Sequence, residues 1–153
     1  MSRFVLDSSV TMAWCFESEK TPYTEAVLDA LSSGAKALVP VLWPYEVMNV
    51  LVGAQRHKRI TQAQATIFWR ELQAFSIDMD THGVKHGPLE TMALAEQYHL
   101  TAYDATYLEL ALREGLPLAT MDDDLKKAAR AAGLPMALTT HHRGLGKPEK
   151  RET

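Results

Sequence analysis

Short apolar runs that stop at an acid or a proline, separated by stretches of helical periodicity, set the fold of this chain. Phe4-Val5-Leu6 ends at Asp7, Ala37-Leu38-Val39 ends at Pro40, and Leu116-Pro117-Leu118-Ala119-Thr120 leads to Asp122. A strand that is apolar at consecutive positions, rather than at alternate ones, is buried on both faces. Such burial requires helices above and below the sheet, and strands alternating with helices pair in parallel. The expected fold is α/β, with a mainly parallel central sheet flanked by helices on both faces.

The intervening segments carry helix start and stop signals. Thr21-Pro22 supplies an N-cap and a first-turn proline for the apolar stripe Ala26, Val27, Ala30 and Leu31, which Gly34 stops. After Trp43-Pro44, the residues Val47, Val50, Leu51 and Ala54 recur at helical spacing as far as the basic cluster Arg56-His57-Lys58-Arg59. Thr61 and Gln64 predict a capping box for a helix whose core face is Ile67, Phe68 and Leu72. Phe75-Ser76-Ile77-Asp78-Met79 alternates as a half-buried strand. Pro88 opens a helix towards Tyr98, Thr101 precedes another that is apolar almost all round, and Leu125 begins a short one closed by Gly133. Met136-Ala137-Leu138 reads as a last strand. His82 and His86 fall with Gly83 and Gly87 in what reads as a loop, which weighs against a histidine metal pair.

The chain has 153 residues, enough for one domain, expected over residues 1–139 with a polar, flexible tail over 140–153. Its net charge of −3 excludes attachment to nucleic acid through bulk positive charge, though not an enzyme that pairs local basic patches with a cation. The single cysteine, Cys15, allows neither an internal disulfide nor a thiolate metal site and favours a reducing compartment. No run is long and apolar enough to span a membrane, and Met1 to Asp7 lacks the features of a signal peptide. A cytoplasmic protein is expected.

Chemistry is carried by acids. Ligands of open parallel sheets bind at the carboxyl ends of the strands, where Asp7 and Asp122 fall. Glu46, after Pro44, and Asp104, after Tyr103, sit near helix starts that the same sheet edge can gather. Each has a bland reading as a cap or a dipole partner, worth about 0.5–2 kcal/mol, and Asp104 lies where a capping box with Thr101 would place it. Capping does not explain the apolar context of Asp7, Asp104 and Asp122, where an unpaired charge is costly. Four converging carboxylates repel one another unless a cation lies among them, and an all-oxygen donor set favours Mg²⁺ or Mn²⁺ over Zn²⁺. Such ions are the common apparatus of phosphodiester hydrolysis.

Four segments carry a resemblance. Val5-Leu6-Asp7-Ser8-Ser9-Val10, Glu46-Val47-Met48-Asn49-Val50-Leu51, Leu100-Thr101-Ala102-Tyr103-Asp104-Ala105-Thr106-Tyr107-Leu108-Glu109-Leu110-Ala111 and Leu118-Ala119-Thr120-Met121-Asp122 together resemble PIN-domain proteins. Within that group they resemble the VapC-type ribonuclease toxins of toxin–antitoxin pairs. The resemblance implies a single PIN-like nuclease domain and a Mg²⁺- or Mn²⁺-dependent endoribonuclease. It implies that Asp7, Glu46, Asp104 and Asp122 are both the catalytic residues and the metal ligands. It also implies a homodimer and an antitoxin that reaches into the acidic pocket. Asn49, one turn on from Glu46, and the hydroxyls of Ser8 and Thr120 are then candidates to orient the ligands. Asp122 fits the Thr-x-Asp spacing better than Asp123 or Asp124, which read as first-turn helix charges.

Arg56, Lys58 and Arg59 are the candidate RNA contacts, against the plainer reading of a solvated helix end. Trp14, Phe16, Trp43 and Trp69 are expected mostly in the core. Two other functions compete. An aspartyl-nucleophile phosphatase wants a second acid where Ser9 stands. A non-catalytic PIN-like module that binds RNA or protein has no need of a complete set of mutually repelling acids.

Overall fold

The computed structural model describes residues 2–138, so the expected boundary at 139 and the tail over 140–153 lie outside the described residues. Four strands, β1 (Arg3–Leu6), β2 (Lys36–Pro40), β3 (Ile77–Asp80) and β4 (Leu118–Ala119), form one sheet in the order β3-β2-β1-β4. Every pairing is parallel. Phe4, Val5 and Leu6 are all buried, as are Ala37, Leu38 and Val39, so β1 and β2 are covered on both faces. The sheet and its flanking helices make the expected α/β domain.

The helices are α1 (Ser8–Ala13), α2 (Pro22–Ser32), α3 (Leu42–Arg56), α4 (Gln62–Gln73), α5 (His82–His86), α6 (Pro88–Tyr98), α7 (Ala102–Glu114) and α8 (Asp123–Ala131). The caps form as the sequence indicates: Thr61 and Gln64 exchange side chain and backbone in a capping box, and Thr21 does so with Thr24. In α7, by contrast, Thr101 accepts the Asp104 N–H but the Asp104 carboxylate returns nothing to the cap. α7 packs on β1, β2 and β4, which buries Tyr107, Leu108, Leu110 and Ala111.

Several local expectations are corrected. α3 begins at Leu42, ahead of Pro44, because the first-turn N–H groups have no helical partner and proline there sacrifices no bond. Its buried face is Trp43, Val47, Leu51 and Ala54, and Val50 stays exposed. Ile67 is 55% exposed, since the inner face of α4 is set by Ala65 and Leu72 with Phe68 packed behind them. Met136 forms an isolated bridge to Leu118 instead of a strand, and Leu138 turns away at φ 61°.

His82–His86 is a short helix rather than a loop, with the two imidazole rings 4.5 Å apart. The glycines that signal a loop serve close packing here. A Cβ at Gly83 would lie 3.0 Å from Arg113 Nη2 and from Asp80 Oδ2, and one at Gly87 would lie 2.8 Å from the Gly83 carbonyl oxygen. Arg113 holds this corner together through Asp80 and Glu109.

Trp14 and Trp43 are buried with their indole N–H groups satisfied by the Thr24 carbonyl and Thr11 Oγ1. Phe16 is buried, Trp69 is partly buried beside Trp43, and Cys15 is half-buried.

Candidate active site

The sheet order places a switch point between β1 and β4, because the chain runs β1 to β2 to β3 on one side and then returns to add β4 on the other. Loops diverge there and leave a crevice at the strand ends. Asp7 follows β1 directly, and its N–H bonds the Ala119 carbonyl at 3.0 Å. Asp122 follows β4 as the N-cap of α8. Glu46 is carried in by α3 and Asp104 by the first turn of α7. All four acids line one cavity of about 540 Å³, together with Glu19, Ser8 and Ser9. Among the described residues its lining contains no lysine, arginine or histidine. Asp123 and Asp124 are exposed in the first turn of α8 and do not line it.

Three of the four carboxylates have one oxygen tied down. Asp7, 5% exposed, accepts from Ser9 Oγ at 2.7 Å and from Thr120 Oγ1 at 2.6 Å, both on Oδ2. The two hydroxyls themselves accept the Met121 and Asp122 N–H groups, so each has its single proton free for Asp7. Glu46 accepts from Tyr107 Oη at 2.5 Å and from Ser8 Oγ at 3.1 Å, both on Oε1. Asp122 Oδ2 accepts the Leu125 N–H at 2.8 Å, so it is a helix cap and a cavity wall at once.

The electrostatics are those of a crowded anionic site. Burial, then the charge of Asp122, pushes Asp7 above the usual carboxylate range, against the hydrogen bonds from Thr120 and Ser9. Burial and the charge of Asp7 raise Glu46 in the same way, opposed by Tyr107 and Ser8. Asp104 is pushed up to about 6 by burial and then by the charges of Asp122, Asp7, Glu46 and Asp124. Burial, then the charge of Asp7 and the hydrogen bond and charge of Glu46, hold the Tyr107 phenol well above its ordinary range.

Among the described residues, no three His, Cys, Asp or Glu side chains close on one point as a ready-made cage. A hydrated hard cation does not require such a cage: Mg²⁺ keeps several of its waters and takes only one or two carboxylates. The all-oxygen lining and the uncompensated negative charge fit such an ion.

Other sequence candidates fall in different places. Ser8 and Thr120 touch the acids, whereas Asn49 is exposed and does not line the cavity. Arg56 and Lys58 are exposed at the end of α3. Arg59 pairs with Glu19 at 3.3 Å and lies 4.0 Å over the Phe16 ring, which sets it at the cavity rim. Sequence reasoning missed Ser9 and Tyr107. The signals were available: Ser9 stands two residues after an acid at a strand end, and Tyr107 shares a helix face with Asp104 where its hydroxyl needs a partner.

The stretch 4–131 matches the family model of the PIN domain. Ribonuclease VapC3 of Pyrobaculum aerophilum is 28% identical over 133 residues, covering 87% of this chain and 99% of the relative. A crystal structure of a Pyrobaculum aerophilum protein aligns with TM-score 0.63 and 24% identity, over 86% of this chain and 96% of that one. VapBC2 from Rickettsia felis, solved bound to a DNA fragment from its promoter, aligns with TM-score 0.63 and 12% identity over 88% of this chain and 96% of that one. A toxin–antitoxin complex from Klebsiella pneumoniae gives 0.54 and 19%, over 78% of this chain and 86% of that one. At these identities the solved structures speak for the fold.

Proposed function

The chain belongs to the PIN domain family, and from that premise we propose that it is a Mg²⁺- or Mn²⁺-dependent endoribonuclease acting as the toxin of a toxin–antitoxin pair. The observation that carries this reading is the convergence of Asp7, Glu46, Asp104 and Asp122 on one cavity whose lining, among the described residues, includes no cationic side chain. Held by those acids, a divalent ion would supply activation of water and shielding of phosphate charge.

The chain's own residues do the rest. Ser9 and Thr120 hold the Asp7 carboxylate through Oδ2, in a pose from which it would serve as one ligand of the ion. Asp122 and Glu46 offer their second oxygens, and Asp104, which engages in no cap, completes the set. Asn49, exposed on the same helix as Glu46, would act towards a bound RNA rather than from the cavity wall. Arg56 and Lys58 grip phosphates beyond the cavity. Arg59 joins them by exchanging Glu19 for the polyanion.

A partner surface also fits. An apolar groove of about 440 Å³, bordered by Tyr45, Val84, Met92 and Tyr103, adjoins the first turn of α7, and those four side chains are 56% or more exposed. Exposed apolar patches of this kind mark protein contacts, here with an antitoxin and a second copy in a homodimer. The relative named as a ribonuclease and the toxin–antitoxin complexes among the fold neighbours support the same reading. A cytoplasmic site of action suits an RNA substrate. Among the described residues no helix is long and apolar enough to cross a membrane.

Chelator-stripped protein incubated with structured RNA tests the proposal. Cleavage that returns with Mg²⁺ or Mn²⁺ and is absent in Asp104→Asn supports it. Metal-independent cleavage, or none with any RNA, favours the non-catalytic module instead.

A further inference from the structure

Tyr107 is fully buried at 0% exposure, yet its hydroxyl does not end on a core carbonyl. It crosses from α7 to α3 and donates to Glu46 Oε1, 61 residues away in sequence. Ser8 donates to that same oxygen from the start of α1. Glu46 is therefore held from two elements, and its Oε2 is the oxygen with no protein partner among the described residues. Asp104 sits one turn before Tyr107 on α7, so a single helix carries one acid and grips another.

We propose that Tyr107 is a positioning residue of this site, fixing the Glu46 rotamer and committing Glu46 to bind a divalent cation through one oxygen. This rests on the reading of the acids as ion-holding. A freely rotating glutamate would present either oxygen or both, and would lose rotamer freedom each time an ion bound. With Oε1 already engaged, that ordering is complete in the folded protein. A phenol suits the task because only a long, rigid side chain spans from α7 to α3 with two torsions to fix. Phenylalanine would fill the same volume without the donor.

The test is a titration of wild type, Tyr107→Phe, Ser8→Ala and Glu46→Gln with Mn²⁺ alone, read as free Mn²⁺ by electron paramagnetic resonance, with melting curves for each protein. Partners that orient metal ligands typically contribute 10–100-fold in affinity. Tyr107→Phe is expected to weaken Mn²⁺ binding about tenfold or more, and Glu46→Gln to weaken it further. In cleavage assays, Tyr107→Phe is expected to need more Mn²⁺ for half-maximal rate while recovering most of the rate at saturation. A Tyr107→Phe protein that melts lower but binds Mn²⁺ like wild type, while Glu46→Gln binds weakly, overturns the positioning role and leaves the ion site standing. Binding that is indifferent to Glu46 overturns both. Should Tyr107→Phe fail to fold, Ser8→Ala removes the other donor to the same oxygen. A weaker site in that variant supports the proposal, and an unchanged one contradicts it.

Discussion

Thr120 Oγ1 donates to Asp7 Oδ2 at 2.6 Å across the seam where β4 meets β1, and the same hydroxyl accepts the Asp122 N–H at 3.0 Å. One threonine thus ties together the acids that follow two different strands. Replacing it with valine keeps the shape and removes both bonds. Thr120→Val is expected to destabilise the protein by about 1–3 kcal/mol, since a buried carboxylate and a backbone N–H lose partners. Thr120→Ser is expected to stay near wild type. Urea denaturation of the two variants measures the difference, and equal stabilities would remove the seam from the account.

Asp104 makes no cap and is pushed up to about 6 by burial and by the charges around it. Asp104→Asn is expected to abolish RNA cleavage while leaving the metal-free protein folded and slightly more stable than wild type, because like-charge repulsion is relieved. Thermal melting in chelator reads the stability, and a lower melting temperature for the variant would count against the repulsion.

The same residue sets a pH dependence. Its folded value of about 6 lies above the ordinary unfolded value of roughly 3.9, so the folded state holds the proton more tightly. The stability linked to that proton is fully present below about pH 4 and is lost as pH rises through about 6. Asp7 and Glu46, raised by burial and by neighbouring acids, act in the same direction. Asp80 is the opposite case. Arg113 and the Gly83 N–H outweigh its burial and hold it low, so its contribution is lost only at the acid end. Metal-free wild type compared with Asp104→Asn is expected to show a steeper fall in melting temperature between pH 4.5 and 7. Mn²⁺ is expected to flatten it. Parallel curves would contradict this.

Gly87 is required by contact, since a Cβ there would meet the Gly83 carbonyl oxygen at 2.8 Å. Gly87→Ala is expected to cost about 1–3 kcal/mol by crowding a backbone that the Arg113 cluster holds in place. Chemical denaturation checks this. A neutral result would show that α5 yields easily.

Arg56 and Lys58, exposed at the end of α3, are expected to contact phosphate. Alanine at either is expected to lower the slope of log affinity against log salt by about one, uniformly across RNA sequences. An unchanged slope, measured with catalytically dead protein, would move the RNA path to another face.

Much of this molecule is legible in its sequence, for reasons that differ by element. β1 and β2 declare themselves because consecutive apolar residues have no other use in so short a run. Asp7 stands where the β1 run ends and Asp122 follows β4, and strand ends are where parallel sheets open. Other features depend on distant residues. Whether Gly83 and Gly87 break a helix or admit a close approach depends on Arg113 at the first and Glu109 at both, which no local window contains. Ile67 has the spacing of a core residue, but the outer face of α4 is where it lands. Tyr107 looks like one more buried aromatic of α7, and only the arrival of α3 beside it gives its hydroxyl a carboxylate to hold.

The central claim is that the four acids gather a divalent ion at the switch point between β1 and β4. Crystals soaked in Mn²⁺ and measured at the manganese absorption edge test it most directly. The expected result is anomalous density in the acidic cavity, within coordination distance of Asp7 and at least one of Glu46, Asp104 and Asp122, and lost in Asp7→Asn. An empty cavity, or density that persists unchanged in Asp7→Asn, would contradict it.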